Sequence, residues 1–519
     1  MRRPRGIRLW ALVAVAVVVV LIAAGAAYLH WDSPLRRSWV EHALQQRYGV
    51  PVSLQTFHSS LFPRARVSGT GLVLGGGPPG APPLIQIASF SANASWFRLL
   101  FGARRLGYVR LQGLQLNIPP KRSGPVHRRF RSALVLESVI ADGTVLRIDS
   151  SQPGKRPRIF YIQHLRLRAA PGGDRGMLYQ ARLTNPKPVG QIAATGAFGP
   201  WDDGDPGSTP LSGKYDFTHA DLSTINGLAG MLSSQGAFDG SLREIEVHGT
   251  SYTPDFSLGQ DGNAMPLQAV FQLLVDGTSG DTLLQSVSAR LGSSALDVTG
   301  IVQPSPLPGS EVDLDVAAGN SGQPARLEDL LGLAVRTTQP PMKGNVTLRA
   351  HIHVPPGSPA VDKRMRMRGQ FEIGQATFTD PEVRSKLSDL SLRGQGNARA
   401  AAAGDVVPTV VALQGEFQMG KGLVQFSQLQ FAVPGATIRL HGSYDVPSQA
   451  LDFQGTVALD AKISQTTTGW KSLMLHPFNR VFEHGTTGTL LPIAITGQRA
   501  HPNFRVNVKQ AITGHGLGH

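Results

Sequence analysis

Few residues of this chain have types and spacings that could do chemistry. His351 and His353 alternate in the segment HIHV, which predicts that they share one face of a strand. Two histidines at this spacing can bind a metal ion, but without a nearby carboxylate to complete the ligand set they make a weak site. Exposed histidines on a strand face are therefore the favoured interpretation. His515 and His519, in the terminal tail, give no stronger indication.

The acidic segment WDDGDPGS is the second candidate for metal binding. Asp202, Asp203 and Asp205 are spaced as in part of a calcium loop, but the bidentate glutamate that closes such a loop is missing. A solvated turn is therefore favoured over a metal site.

The chain has no cysteine, which excludes thiol nucleophiles and disulfides. It also has no phosphate-binding loop, HExxH sequence or nucleophile elbow. We therefore predict that the protein is not an enzyme and holds no cofactor or metal. An unrecognised active site, such as that of a cell-wall hydrolase, stays open as an alternative, but no carboxylate pair or nucleophile can be named for it.

Beyond these residues, most of the chain after residue 50 alternates apolar and polar residues, which indicates half-buried β-strands. Examples are VPVSLQTF, ARVSGTGLVL, IQIASFSAN and YVRLQGLQLNI. The chain contains 59 glycines and 37 prolines, and this density favours many short connections. The sequence thus predicts a mainly β fold.

Three segments have a turn-like centre between strand-like arms and are predicted to be β-hairpins. They are Ser138–Ile148, Phe371–Phe378 and Phe417–Phe426. Their recurrence is consistent with a repeating hairpin unit.

Four short helices are predicted from capping residues and helical periodicity. They cover residues 34–48, Ala220–Met231, Ala325–Val335 and Ile463–Phe482, the last broken by Pro477. Segments rich in Pro, Gly, Asp or Ser predict linkers between regions, at Trp201–Pro210, Gln303–Gly309 and Pro355–Pro359.

The last strands each present one apolar face. The residues that we predict to lie on it are Val424, Phe426, Phe431, Ile438, Leu440, Leu451, Phe453 and Val457. Such faces can close on each other as a sandwich core or line an open groove that holds acyl chains. The same residue types build both, and from the residues alone the closed core is favoured.

The most apolar stretch of the chain, LWALVAVAVVVVLIAAGAAYL, covers residues 9–29 without a charge. At about 1.5 Å per helical residue it is long enough to cross a bilayer core of about 30 Å. Its predicted membrane-anchor residues are Leu9, Trp10, Val17, Val20, Ile22 and Tyr28. A cleaved signal peptide is the alternative, since Ala24-Gly25-Ala26 offers a small-residue cleavage site. Either interpretation predicts that the body of the protein is exported.

Positive charge is concentrated next to this stretch. Residues 1–190 contain 27 Lys and Arg against 6 Asp and Glu, whereas the remainder contains 23 against 29. Attraction to anionic lipid headgroups and an ordinary solvated surface are both open interpretations. Nucleic acid is not expected as a partner of an exported protein.

Several segments together resemble the AsmA family. The apolar stretch, DSPLRRSWVEHALQQRYGVPVSL, SANASWFRLLFGARRLGYVRLQGLQLNI and ADGTVLRI resemble its N-terminal region. The segments GEFQMGKGLVQFSQLQFAVPGATIRLHGSYDV, LDFQGTVAL and GTLLPIAITGQRAHPNF resemble its C-terminal region. The two ends cover about half of the chain, in the expected order.

The resemblance implies an N-terminal transmembrane helix followed by a long, twisted, mostly antiparallel β-sheet that is bent into a groove, with a few short helices. The implied organisation is a cytoplasmic basic tip (1–8), a transmembrane anchor (9–29), an AsmA-like N-terminal region (30–200), a middle β region (201–360), an AsmA-like C-terminal region (361–510) and a disordered tail (511–519).

The function that the resemblance implies is lipid handling. The chain would be a single-pass protein of the bacterial inner membrane, with a cytoplasmic N-terminus and its bulk in the periplasm. It would bind or transfer phospholipid between membranes and support the outer membrane, with outer-membrane or periplasmic proteins as further partners. The alternative is a scaffold or assembly factor for outer-membrane proteins that transfers no lipid.

Overall fold

A computed structural model of the chain describes most of the region after residue 36. The described residues are 37–48, 51–60, 65–75, 82–94, 105–118, 135–149, 157–170, 176–200, 202, 205–259, 262–319, 323–334, 339–404, 411–461, 489–499 and 501–506. The predicted basic tip, the anchor, the helix over Ile463–Phe482 and the tail over 511–519 lie outside them.

β-strands dominate the described residues. They are β1 (Val52–Ser53), β2 (Thr56–Ser60), β3 (Ala65–Leu74), β4 (Ile85–Ala94), β5 (Arg105–Ile118), β6 (Val135–Ile148), β7 (Arg158–Ala169), β8 (Met177–Pro186), β9 (Val189–Phe198), β10 (Leu211–Asp221), β11 (Leu228–Ala229), β12 (Met231–Ser241), β13 (Glu244–Leu258), β14 (Met265–Val275), β15 (Thr282–Leu291), β16 (Ser294–Pro304), β17 (Ser310–Ala318), β18 (Ala325–Arg326), β19 (Met342–Val354), β20 (Arg366–Phe378), β21 (Val411–Gly420), β22 (Leu423–Val433), β23 (Ala436–Asp445), β24 (Ala450–Leu459), β25 (Thr489–Gln498) and β26 (His501–Val506).

These strands form one large sheet that is curled into a half-barrel. From β2 to β26 nearly every strand pairs with the next long strand of the chain in antiparallel orientation, and the parallel pair β5 and β6 is the exception. The predicted mainly β fold with a mostly antiparallel, curled sheet is confirmed. The pairs β9–β10 and β19–β20 carry the sheet without a break across residues 200 and 360.

The predicted linkers are wrong as linkers, because each connects neighbouring strands of this sheet. Gln303–Gly309 joins β16 to β17, and Pro355–Pro359 lies between β19 and β20. Trp201–Pro210 lies between β9 and β10, and its described residues include a 3-10 turn at Pro206–Ser208. Proline and glycine are common both in tight connections between strands and in linkers between domains. Composition alone therefore could not tell a connection from a linker.

Five helices lie among the described residues: α1 (Arg37–Tyr48), α2 (Leu327–Ala334), α3 (Val361–Arg364), α4 (Pro381–Gly394) and α5 (Ala398–Ala403). The first two confirm predicted helices. In the described part of the chain, no helix has the length and apolarity needed to cross a bilayer.

The helix predicted over Ala220–Met231 is wrong. The segment holds a 3-10 turn at Leu222–Thr224 and then the short strand β11. The Asp221 side chain accepts a hydrogen bond from the Ser223 amide at 2.9 Å, and such local bonds compete with a continued helix.

Helix α4 was not predicted, although its start signals are present in the sequence. The Asp380 carboxylate accepts hydrogen bonds from the amides of Glu382 (2.8 Å) and Val383 (3.2 Å), and Pro381 occupies the first turn. These residues follow a strand directly, and their capping pattern alone would have located the helix.

One of the three predicted hairpins is confirmed. Strands β21 and β22 pair across Lys421 and Gly422, whose φ values of 54° and 80° are those of a type I′ turn. The hairpins at Ser138–Ile148 and Phe371–Phe378 are wrong, because each segment lies within one strand. Gln375 (φ 54°) is a left-handed residue where the register of β20 against β21 shifts, so it forms a bulge and not a turn. Gly143 (φ 66°) is also left-handed, but β6 keeps one register against β5 and β7 on both sides of it, so the strand continues through this residue.

The sheet has two long rims formed by opposite strand ends. The helix rim contains α1, α2 and α4 beside the strand ends at Leu74, Ala318 and Phe378. The turn rim contains the tight turns that follow Ser241 and Gly420.

The two rims touch where the sheet coils. Ile118 and Ile148, at the helix-rim ends of β5 and β6, share a buried apolar cluster with Leu242 of the turn rim. Further along, the Asn226 carbonyl of the helix rim accepts a hydrogen bond from the Val361 amide of the turn rim at 3.0 Å. The sheet is therefore a coil whose rims are bridged at intervals.

The largest continuous core follows the helix rim from β17 to β24. Leu330 and Leu331 of α2, and Leu387 and Leu390 of α4, pack against it. Its buried members are Ala318, Ala325, Leu327, Val346, Ile373, Ala376, Val411, Val433, Ala436, Ile438, Val457 and Leu459. Burial is thus greatest at this rim and decreases toward the middle of the strands.

Candidate functional site

The main candidate site is the apolar face of the sheet, here called the inner face because its side chains are less exposed than those of the other face. Along β24, for example, Leu451, Phe453 and Val457 are partly or fully buried, whereas Asp452 and Gln454 are exposed. The alternation of strand side chains separates the two faces.

A single row of directly paired residues crosses the inner face from one end of the sheet to the other. It consists of Phe57, Gly69, Phe90, Leu111, Ala141, Leu165, Ala181, Ala194, Tyr215, Gly236, Gly249, Phe271, Val287, Val298, Val316, Ala350, Gly369, Phe417, Phe426, Gly442, Phe453 and Ile495. We call it the central row. It contains no charged residue, and its one polar group is the Tyr215 hydroxyl.

The central row is long on the scale of a lipid. With neighbouring strands about 4.8 Å apart, its path across the sheet is about 100 Å. Half of a bilayer core of about 30 Å corresponds to one acyl chain of about 15 Å, so a chain of that length spans roughly three strands.

Most of the large side chains in the row are only half-buried. Phe271, Val298, Phe417 and Phe426 are each half-buried. The buried members are mostly small, such as Ala141 at 0% exposure. A sheet face closed against a second sheet would bury its large side chains fully, so this face keeps apolar surface in contact with solvent.

The eight groove residues predicted from the sequence all fall on the inner face. Directly paired sets are Val424 with Tyr444 and Leu451, Phe426 with Gly442 and Phe453, and Phe431 with Ile438 and Val457, while Leu440 pairs with Leu429. Ile438, Phe453 and Val457 are buried, and the other five are half-buried. The residues predicted to anchor the chain in the membrane lie outside the described residues.

Aromatic rings and glycines alternate across these strands. The rings of Phe371 and Phe426 meet edge-on with centroids 6.3 Å apart, although β21 lies between their strands. On the intervening strand Gly415 pairs with Phe371 and leaves room for the rings. Glycine thus creates depressions that neighbouring rings fill in part.

Two tyrosines show that part of the inner face is shielded from water. Burial raises the pKa of the Tyr179 phenol to about 12, and its hydroxyl donates to the Ser212 carbonyl at 3.3 Å. Burial also raises the pKa of Tyr215, which a hydrogen bond with Ser234 at 3.1 Å partly offsets. A low-dielectric setting disfavours the charged phenolate.

The outer face brings together the two histidines of the HIHV segment and two aspartates that the sequence did not connect with them. His351 Nδ1 lies 3.0 Å from Asp315 Oδ1, and His353 Nδ1 lies 3.3 Å from Asp313 Oδ2. The expectation that no carboxylate lies nearby is wrong, because β17 pairs with β19 and places residues about 36–40 positions apart side by side.

This outer cluster does not have the arrangement of a metal site. Within the described residues, no group of three or more His, Asp or Glu side chains is placed to hold a metal ion. A hollow of about 610 Å³ includes His351 and Asp315 of this cluster and is lined by the charged residues Arg349, Arg368 and Glu416. Val316, Ala350 and Phe417 of the central row also line it, so its lining is mixed.

The acidic segment near residue 202 has a local structural use. Asp202 accepts hydrogen bonds from the Asp205 amide and the Ser208 hydroxyl, both at 3.1 Å. Asp205 forms an ion pair with Arg243. Asp203 lies outside the described residues. These contacts agree with the interpretation as a turn.

No family model matches the chain, and no curated protein or solved structure shows a significant similarity to it. The fold and the site define a structural class, that of a coiled, trough-like β-sheet with an apolar inner face and a polar outer face.

Proposed function

We propose that the protein binds phospholipid along its inner face and transfers it between membranes. Acyl chains would lie on the central row while the headgroups stay in water at the opening of the trough. The observation that carries this proposal is the unbroken apolar path from Phe57 to Ile495, together with its incomplete burial.

The hydrophobic effect supplies enough free energy for such binding. Removing apolar surface from water contributes about 0.8 kcal/mol for each buried methylene group. The half-buried rings and aliphatic side chains of the row offer matching apolar surface along the path. An acyl chain would therefore exchange water contacts for contacts with residues such as Phe417 and Phe426.

The uniformity of the row favours transfer over storage. A carrier that holds one lipid tightly needs a closed pocket with polar groups that fix a headgroup. The central row instead repeats similar apolar side chains at each strand, so neighbouring positions would bind an acyl chain with similar free energies. Small steps between equivalent positions would then let lipid move along the trough.

The membrane setting is part of the same proposal. The apolar stretch at 9–29 would anchor the chain in the inner membrane of a bacterium with two membranes, with the sheet in the periplasm. The resemblance to the AsmA family supports this placement. No catalytic residue takes part.

Photo-crosslinking of the full chain in cells tests the proposal. A photoreactive phenylalanine analogue would replace Phe426 or Phe453 on the inner face, and the matched controls would carry it at Gln425 or Gln454 on the outer face of the same strands. We expect phospholipid adducts, detected by mass spectrometry, at the two inner positions and few at the outer ones.

Two results would contradict lipid binding. The first is equal labelling of the inner and outer positions, which would mean that the adducts reflect nearby membrane only. The second is recovery of polypeptide without lipid at positions 426 and 453. That outcome would favour the alternative of a scaffold that holds unfolded strands of outer-membrane proteins.

A further inference from the structure

The outer face of β3 to β8 carries a cluster of arginines that the proposed trough does not use. Arg66, Arg110, Arg166, Arg168 and Arg182 all point to this face, and we call them the arginine face. Arg110 and Arg166 both pair with Ile140 in one row, and Arg168 lies in the next row with Tyr108. Five strand spacings of about 4.8 Å separate Arg66 from Arg182, so the cluster spans about 24 Å.

These charges are available to a partner. All except Arg166, which is half-buried, are exposed, and none of the five forms an ion pair with a described residue. Arg182 lies in a third row with His164 and Asp142. Asp142 is the one acidic side chain in the three rows across β3 to β8, and it already pairs with His164 at 2.8 Å. Uncompensated positive charge of this density attracts an anionic surface.

Exposed apolar side chains lie among the arginines. Tyr108 is 61% exposed, Tyr161 is 53% exposed, and Leu178 is 42% exposed. Tyr108 shares a row with Arg168 and Leu178. These side chains add apolar contact area within a charged surface, so the arginine face offers a partner both charge and apolar contact.

We propose that the arginine face docks on an anionic phospholipid surface. Guanidinium groups bind phosphate in bidentate fashion, and tyrosine rings are stable at the interface between headgroups and hydrocarbon. Leu178 would add apolar contact with the acyl boundary, which a nucleic acid would not provide. The proposal goes beyond lipid binding in the trough, since it concerns the opposite face of the sheet and the membrane itself.

The docking has a structural consequence for the trough. Because the arginine face is the reverse side of β3 to β8, its contact with headgroups would turn the inner face of these strands away from the bilayer surface. The opening between the rims would then lie to the side of the contact, where lipid could enter without passing beneath the sheet.

A fluorescent probe on the full chain tests this proposal, and the absence of native cysteine makes each introduced cysteine a unique attachment site. Tyr108→Cys places an environment-sensitive nitrobenzoxadiazole probe on the arginine face. Val270→Cys is the matched control, because Val270 is 62% exposed and also points outward, but lies on β14 away from the arginines. Each labelled chain is placed in nanodiscs of phosphatidylcholine, with or without phosphatidylglycerol.

We expect phosphatidylglycerol to shift the emission of the probe at position 108 to shorter wavelength, with no shift at position 270. Added salt should reduce this emission shift, because it screens the attraction between the arginines and the anionic headgroups. The triple variant R110Q/R166Q/R168Q should lose the shift. The charge-matched variant R290Q/R349Q/R368Q, which alters exposed arginines of β15, β19 and β20, should keep it.

The proposal is overturned if the probe at position 108 responds equally to both lipid compositions, or if both triple variants behave alike while retaining the β-sheet circular dichroism of the parent chain. A shift caused by a single-stranded oligonucleotide in nanodiscs without phosphatidylglycerol would assign the face to nucleic acid. None of these results alters the crosslinking expected at positions 426 and 453, so the two proposals fail independently.

Discussion

The rings of Phe426 and Phe453 lie with their centroids 5.8 Å apart although a whole strand separates them. The residue between them is Gly442 of β23, which pairs directly with both. Without a side chain at that position, the two rings meet above the backbone at a tilt of 41°. Gly442 has no side chain of its own, but the two rings cover it from both sides. The apolar surface of the central row is therefore continuous here.

Replacing this glycine should destabilise the sheet. A Cβ atom at Gly442 would lie 2.1 Å from the Asp452 carbonyl oxygen, and the backbone there has a φ of 150°. We expect Gly442→Ala to lower the free energy of unfolding by about 1–3 kcal/mol, measured by chemical denaturation. Gly374→Ala is the matched control, because its Cβ would meet no atom within 4 Å. Its effect should stay within about 0.5 kcal/mol, and equal losses for both variants would refute the steric argument.

A charge in the middle of the central row should interrupt lipid binding. Val298 of β16 is half-buried on the inner face, and its chain neighbour Thr299 is exposed on the outer face. A carboxylate on apolar surface loses hydration if an acyl chain covers it, at a cost of several kcal/mol. We expect V298D to reduce the phospholipid that copurifies with the full chain, as quantified by mass spectrometry of extracts, whereas T299D should not. Equal lipid content in the two variants would count against transport along this row.

The contact between the rims should contribute measurable stability. Leu242 is 8% exposed and shares its cluster with Ile118 (5%) and Ile148 (3%). Leu242→Ala should cost about 2–4 kcal/mol in the local opening free energy of the strand ends at these two isoleucines, measured by hydrogen exchange. Leu307 lies at the same rim and is 59% exposed. Leu307→Ala should therefore change this opening free energy by less than about 0.5 kcal/mol. Unchanged exchange at Ile118 and Ile148 in L242A would show that the coil does not depend on this contact.

The stability of the protein should depend on Tyr179 at alkaline pH. Burial raises the pKa of its phenol from 10.0 to about 12, so the unfolded chain loses this proton at lower pH than the folded chain does. The stabilisation linked to this proton is complete below pH 10 and is lost as the pH rises through the folded value near 12. The free energy of unfolding should therefore fall more steeply over this window in the parent than in Y179F.

At neutral pH the same variant should be less stable by about 1 kcal/mol, because the Ser212 carbonyl loses its hydrogen bond. Tyr161→Phe, which alters a tyrosine that is 53% exposed, controls for the loss of a hydroxyl group. Parallel stability curves for the parent and Y179F above pH 10 would contradict the burial of the Tyr179 phenol.

The sequence by itself determined the local structure of much of the chain. Alternating residues predicted mainly β structure, capping residues located α1, an amphipathic pattern located α2, and Lys421-Gly422 specified a tight turn. It also determined which residues of a strand share a face, since side chains alternate strictly along a strand. Leu451, Phe453 and Val457 could therefore be assigned to one face of their strand without a structure.

Only the tertiary structure decided how those faces relate to one another. Strand pairing fixes register between residues far apart in sequence, so it alone joins Phe57 to Ile495 in one row and places Asp315 beside His351. It also decided that Gln375 forms a bulge within β20 and that the rims meet at Leu242. The physical reason is that local patterns specify the preferences of a segment, whereas register and curvature arise from the summed pairing and packing of many strands.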